Sequence, residues 1–164
     1  MGVLLLEIKA ELENLTNLIP EPSPQQSWQF KIKCTSCNEE SDKESGVTMC
    51  ELYDIPNSRG KAHLVQKCKF CGRTGTLTAV EGRGKPYTAE DSEEGKFVPV
   101  ACFECRGLEP IVFYPRDGWV ARGTESGTAF NDIDLSSGEF CDWDEKASAS
   151  VGIYSIEHKF TVTK

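Results

Sequence analysis

Apolar and polar residues alternate along much of the chain, and this period of two is typical of half-buried β-strands. The first run predicts a strand near the N-terminus, with one apolar face formed by Leu4, Leu6, Ile8, Ala10 and Leu12. A second run, with Trp28, Phe30 and Ile32 on one face, predicts a strand that leads directly to Cys34. Shorter runs predict strands at 63–69, 74–80, 97–103, 111–113, 119–122 and 151–162.

Helical periodicity is absent from every long segment, so the expected fold is mainly β. The single segment assigned to a short helix is 142–150. We expect one domain over 1–164, a two-lobed β-sandwich or barrel-like fold. Its lobes would be 1–82, which binds zinc through a zinc-ribbon-like site, and 96–164, which is metal-free. The acidic, glycine-containing segment 83–95 would be a solvated connection between them.

The two lobes are predicted to be copies of one repeat. The segment 11–20 resembles 103–110, and the strand 30–34 resembles 119–123. In this alignment Gly123 and Ser126 stand where Cys34 and Cys37 stand in the first half. The second half would therefore be a copy that lacks the metal site.

Charge and terminal sequence narrow the functional classes. The 164 residues include 18 Lys and Arg against 26 Asp and Glu, for a net charge of −8. No basic excess exists to neutralise phosphates, which argues against nucleic acid and anionic membranes as partners. The apolar run at 3–6 is too short for a signal peptide or a membrane span. We therefore expect an intracellular, cytoplasmic protein.

The eight cysteines carry the strongest chemical signal. In a reducing compartment, paired cysteines more often bind metal or do redox chemistry than form disulfides. Cys34 and Cys37 form one CxxC pair, and Cys68 and Cys71 form another after thirty intervening residues. Two such pairs complete a tetrahedral shell of four thiolates, which suits one structural Zn²⁺. The alternative is four reduced, buried cysteines or a disulfide pair.

Basic residues surround both pairs and favour thiolates, because positive charge lowers the pKa of cysteine. They are Lys31, Lys33, Lys67, Lys69 and Arg73. Four cysteine ligands leave no open coordination position, whereas a catalytic zinc keeps one for water or substrate. His63 could replace a ligand, but it and His158 are more simply explained as packing and strand-face residues. We therefore assign no catalytic residue.

Cys102 and Cys105 form a third pair. A redox role would need a strand-to-helix context that lowers a thiol's pKa, and Pro110 and another strand follow instead. A second metal would need two more ligands, and only Cys50 and Cys141 remain. Our preferred interpretation is a pair of buried strand cysteines.

Several motifs together are similar to one known family. They lie at 9–18, 34–37, 65–71, 103–110, 123–130, 144–147 and 150–154. In this order they resemble the eukaryotic CXXC motif containing zinc binding protein family. The resemblance implies a β-rich, two-lobed fold with one zinc on Cys34, Cys37, Cys68 and Cys71. It implies no catalytic activity.

Three functional hypotheses follow. The first is a non-enzymatic, monomeric protein with one structural zinc that acts through contacts with other proteins. The alternative is thiol-based metal handling, with zinc or copper transfer, or a thiol redox partner, because soft thiolates suit both ions. Nucleic-acid binding through a zinc ribbon is the third interpretation, which the net charge of −8 disfavours.

Overall fold

Strands account for nearly all regular structure in this computed structural model, which describes residues 2–163. The elements are β1 (Gly2–Glu13), β2 (Leu15–Pro20), β3 (Ser27–Cys34), β4 (Ser45–Thr48), β5 (Tyr53–Asp54), β6 (Lys61–Ala62), β7 (Leu64–Lys67), β8 (Thr74–Ala79), α1 (Ala89–Glu94), β9 (Val98–Arg106), β10 (Leu108–Tyr114), β11 (Trp119–Gly123), β12 (Ala129–Ile133), β13 (Phe140–Asp144) and β14 (Ala149–Thr163). The expected mainly β fold is confirmed.

The strands form one large sheet and three small ones. The large sheet has the order β13-β14-β1-β9-β8-β7 and curls into a half-barrel. Two three-stranded sheets have the orders β10-β3-β4 and β12-β11-β2, and β5 pairs with β6. All pairings between these strands are antiparallel.

The strand order is symmetric, as an internal repeat predicts. In the repeat, β1 to β4 correspond to β9 to β12, and β7 and β8 correspond to β13 and β14. When corresponding strands are exchanged, the order of the large sheet is the same read backwards, and each three-stranded sheet becomes the other. The register agrees, because Glu13 faces Gly152 in one half and Arg106 faces Thr76 in the other. The two halves also share the large sheet, because β1 of the first half pairs with both β9 and β14 of the second half.

The core lies between the large sheet and the two three-stranded sheets, all of which contribute buried apolar residues. Every second residue of β1 from Leu4 to Ala10 is buried, as the alternation predicts. Trp28 and Phe30 of β3 pack edge-on against Phe103 of β9, with ring centroids 5.8 and 5.1 Å apart. Such aromatic contacts add to the free energy gained by burying apolar surface. They join the β10-β3-β4 sheet to the large sheet through the first half of β3, the strand that ends at Cys34.

Two local predictions were wrong. Residues 142–150 form no helix, because β13 and β14 make a hairpin there, with Asp144 opposite Ala149. The segment 83–95 is not fully solvated, since Tyr87 is completely buried and pairs with Leu18 through two backbone hydrogen bonds of 2.8 Å. The division into lobes at this segment stays a prediction. No helix in residues 2–163 is long and apolar enough to span a membrane.

Candidate metal centre

The two CxxC pairs lie in matching turns at the ends of two strands from different sheets. Cys34 ends β3, and Cys68 directly follows β7. In each turn the residue after the second cysteine has a left-handed backbone, with φ of 65° at Asn38 and 77° at Gly72. The N–H groups of Asn38 and Gly72 donate to the carbonyl oxygens of Cys34 and Cys68 at 2.9 and 3.0 Å. The sequence thus forms two tight turns, each of which brings its pair of thiols together.

The four Sγ atoms form one compact cluster. All of them lie within 4.8 Å of one another. The Cys34 and Cys71 sulfurs are 3.7 Å apart, and the Cys37 and Cys68 sulfurs are 3.6 Å apart. A regular tetrahedron of thiolates at the usual Zn–S distance has sulfur–sulfur edges of about 3.8 Å. The donor set and its spacing therefore fit one tetrahedral zinc ion.

Backbone N–H groups aimed at sulfur shift the pKa of the first cysteine in each pair. Those of Cys37 and Ser36 lower the pKa of Cys34 to about 6, and those of Cys71 and Phe70 lower that of Cys68. The N–H of Glu39 lowers the pKa of Cys37, but burial and the neighbouring thiols outweigh it and raise that pKa to about 12. The turns thus stabilise two thiolates, the form in which cysteine binds metal.

The cluster is buried on one side and open on the other. Cys34 is buried, Cys37 and Cys68 are half-buried, and Cys71 is exposed. A groove of about 440 Å³ runs beside it. Most residues that line the groove are polar or charged, and Phe70, which is 71% exposed, lies among them. One face of the metal centre therefore meets solvent and a largely polar groove with one exposed aromatic residue.

Only some of the basic neighbours are free to offset thiolate charge. Lys31 forms an ion pair with Glu40 at 3.2 Å, and Lys33 forms one with Glu109 at 3.6 Å. The second turn has three exposed basic residues, Lys67, Lys69 and Arg73. None of them makes an ion pair within residues 2–163. The positive charge around the thiolates is thus concentrated on the second turn.

The third cysteine pair lies outside this cluster, which is the only candidate metal group among the described residues. Cys102 and Cys105 are buried in β9, where burial raises both thiol pKa values, that of Cys105 to about 12. Three residue steps along an extended strand separate their Cα atoms by about 10 Å, which is too far for a disulfide. Their environment disfavours thiol redox chemistry.

Both histidines accept hydrogen bonds from backbone groups far from the cysteine cluster. His63 Nδ1 accepts from the N–H of Ala79 at 3.0 Å, and His158 Nε2 accepts from the N–H of Phe113 at 3.2 Å. Burial lowers the pKa of His158. Both therefore have packing roles in the structure, and His63 does not join the candidate ligands.

The sequence analysis missed residues of the second half that hold the site. Thr35 donates its N–H to the carbonyl of Gly107 at 3.2 Å, and Leu108 pairs with Cys34. These contacts come from the packing of β10 on β3, which no local spacing reveals.

Comparison with known proteins agrees with this geometry. Residues 5–161 match the family model described as "CXXC motif containing zinc binding protein, eukaryotic". The human CXXC motif containing zinc binding protein is 46% identical over 160 residues, which cover 98% of each chain. A UPF0587 protein of Caenorhabditis elegans is 45% identical over 164 residues, covering all of this chain and 97% of the relative.

Solved structures share the fold over nearly the full length. The crystal structure of C1orf123 superposes with a TM-score of 0.92 at 44% identity, covering 99% of this chain and all of that one. A hypothetical protein from Plasmodium falciparum superposes with a TM-score of 0.85 at 29% identity, covering 98% of this chain and all of the other. The chain therefore belongs to the eukaryotic CXXC motif containing zinc binding protein family.

Proposed function

We propose that Cys34, Cys37, Cys68 and Cys71 hold one Zn²⁺ and that this ion has a structural role in a non-enzymatic protein of the reducing cytoplasm. The observation that carries the proposal is the sulfur spacing, 3.6 and 3.7 Å for two pairs of thiols, each of which joins the first cysteine turn to the second. Bound there, the ion supplies a cross-link, and four thiolates leave it no position for a substrate.

The cross-link would join two sheets at a weak point. Cys34 ends a strand of the β10-β3-β4 sheet, whereas Cys68 follows β7, the edge strand of the large sheet. β7 has only four residues, which are half-buried or exposed. Such a short edge strand buries little apolar surface, so a structural zinc, with an apparent folding contribution of about 10–16 kcal/mol in small peptides, decides whether it stays folded.

Zinc removal tests this role. We expect a high-affinity chelator to remove one zinc per chain and to speed amide hydrogen exchange in 34–39 and 64–74, with little change in 140–150. Rapid zinc loss without any change in exchange would contradict the structural role. Cys50→Ser is the matched control, because Cys50 is exposed and lies outside the cluster.

Action through other proteins is supported by the surface beside the cluster. Phe70 lies between Cys68 and Cys71 and is 71% exposed at the rim of the groove. An exposed aromatic side chain surrounded by polar residues is typical of a protein-binding surface, because aromatic residues are enriched at the centre of such interfaces and polar residues at their rim. We expect Phe70→Ala to keep zinc content and melting temperature but to lose protein contacts in quantitative cross-linking. Val162→Ala, at an equally exposed apolar position, is the control that should retain them.

Metal transfer is the second candidate function, favoured by one observation: Cys71 is exposed and two other sulfurs are half-buried. An incoming thiolate could reach such a centre and exchange ligands with it. Transfer of zinc or copper(I) to a competing thiol peptide, with hydrogen exchange unchanged, would support this candidate over the structural one.

A further inference from the structure

A buried carboxylate in the second half occupies the position that corresponds to the cysteine cluster of the first. Asp144 ends β13 and is only 2% exposed, yet it makes no ion pair within residues 2–163. It accepts hydrogen bonds from the hydroxyls of Ser126 and Thr128 and from the N–H groups of Lys146 and Ala147, the last three at 3.1, 3.1 and 3.3 Å. These donors satisfy its charge without a cation.

The strand register shows which residues correspond between the turn of the β7–β8 hairpin, which carries Cys68 and Cys71, and the turn of the β13–β14 hairpin. Lys67 faces Thr74 in the β7–β8 hairpin, and Trp143 faces Ser150 in the β13–β14 hairpin. Asp144 therefore corresponds to Cys68. The left-handed residues agree, with φ of 77° at Gly72 and 51° at Ser148. By the same count, Ala147 corresponds to Cys71.

Backbone hydrogen bonds show the same correspondence between the turn that begins at Cys34 and the turn that begins at Gly123. The N–H of Cys34 donates to Glu39 at 2.9 Å, and that of Gly123 donates to Thr128 at 2.9 Å. The N–H of Gly127 donates to Gly123 at 3.0 Å, as that of Asn38 does to Cys34. Gly123 and Ser126 thus correspond to Cys34 and Cys37. The alignment predicted from sequence is confirmed at these two positions.

The missing side chain at position 123 has a steric reason. A Cβ atom on Gly123 would lie 2.5 Å from Asp144 Oδ2 and 2.6 Å from Ser126 Oγ. Both distances are well below van der Waals contact. The Asp144 carboxylate therefore fills the space into which a cysteine at this position would point. A cysteine at position 123 and the carboxylate of Asp144 cannot occupy this space together.

We propose that Asp144 is the counterpart of the metal, a carboxylate that ties the two turns of the second half together as zinc ties those of the first. If the proposed structural zinc is bound, one half of the repeat is closed by a metal ion and the other by a side chain of the protein itself. Loss of zinc should then loosen the first pair of turns and leave the second pair unchanged.

Conversion of the second site into a cysteine cluster tests the equivalence directly. The variant carries Gly123→Cys, Ser126→Cys, Asp144→Cys and Ala147→Cys, and native mass spectrometry counts its zinc ions. We expect one zinc more than in the wild type. A control with Glu125→Cys in place of Ser126→Cys has the wrong spacing and should gain none. A folded four-cysteine variant with no additional zinc would overturn the proposal. Because the result is a difference from wild type, it is independent of whether the first site holds zinc.

A single variant covers the case in which four substitutions prevent folding. Asp144→Asn keeps the shape of the side chain but has one acceptor oxygen fewer and no charge. We expect hydrogen exchange to accelerate at least tenfold in both 123–128 and 144–149, with 34–39 and 68–73 unchanged. Acceleration confined to 144–149 would show that the carboxylate does not join the two turns, and the proposal would be wrong.

Discussion

Cys34 pairs with Leu108 across β3 and β10, so the first candidate zinc ligand is held by a strand from the other half of the chain. Gly75, at the start of β8, packs against the same corner. A Cβ on Gly75 would lie 2.7 Å from Leu108 Cγ and 2.9 Å from the carbonyl carbon of Gly107. The close approach of these three residues brings the two cysteine turns within reach of one ion.

A methyl group at Gly75 should therefore weaken the metal centre. We expect Gly75→Ala to lower the free energy of unfolding by about 1–3 kcal/mol, the usual cost of overpacking, and to weaken zinc binding in a chelator competition. Gly60→Ala is the matched control, because its Cβ would meet only ordinary contacts at 3.5 and 3.6 Å. Equal effects of the two substitutions would contradict this account of the corner.

Loss of one ligand should be more severe than loss of a bystander thiol. We expect Cys68→Ser to lose zinc and to unfold the β7–β8 hairpin, seen as a lower melting temperature and a changed circular dichroism spectrum. Three thiolates hold zinc less tightly, and β7, the edge strand of this hairpin, has no fully buried residue. Cys50→Ser should match the wild type. An unchanged melting temperature for Cys68→Ser would count against a structural zinc.

The segment 83–95 should contribute to stability through one tyrosine. The Tyr87 hydroxyl donates to the carbonyl oxygens of Lys96 and Asp91 at 2.8 and 3.3 Å. We expect Tyr87→Phe to lower the free energy of unfolding by about 0.5–1.5 kcal/mol, as for a typical buried hydrogen bond. Tyr53 is 49% exposed, so denaturant unfolding of Tyr53→Phe should show no change. Similar midpoints for both variants would be the contrary result.

Thiol reactivity should separate the cysteines by environment. Cys50 and Cys141 are exposed, whereas burial keeps Cys102 and Cys105 protonated at neutral pH. We expect alkylation of the zinc-loaded protein, mapped by mass spectrometry, to label the exposed pair at least tenfold faster. The buried pair should react only after denaturation. Rapid labelling of Cys105 in the folded protein would reopen a redox role for it.

Acid should remove the contribution of Asp144. The donating Ser126 hydroxyl, helped by the N–H of Ala147, outweighs burial and holds the pKa of this carboxyl below its usual value. A carboxyl whose pKa is lower in the folded state stabilises the fold above its unfolded pKa of about 3.9, and this stabilisation is lost as the pH falls through the folded pKa. The difference in melting temperature between wild type and Asp144→Asn should thus be largest near pH 7 and shrink below pH 4. A constant difference down to pH 3 would contradict this assignment.

Much of the fold and the candidate ligand set could be predicted from local pattern. Strict alternation in β1 and β3 marked the buried faces, and two CxxC pairs marked the cluster. Local sequence pattern did not predict the features that depend on contacts between residues distant in sequence. The sequence predicts a helix over 142–150, but β13 and β14 form a hairpin there, in which hydroxyl and backbone donors satisfy the Asp144 carboxylate. Tyr87 is buried where its backbone pairs with Leu18 of β2, a contact between residues distant in sequence. The contacts of Gly75 and Gly107 depend on the meeting of two halves that are distant in sequence.

The central claim is one zinc held by four cysteine thiolates. Native mass spectrometry of protein purified without added metal or chelator tests it most directly. We expect one zinc per chain, with a mass that shows the loss of four protons and no deficit from disulfides. A folded chain without metal, or one that lacks hydrogens in pairs, would contradict the claim and favour thiol redox chemistry instead.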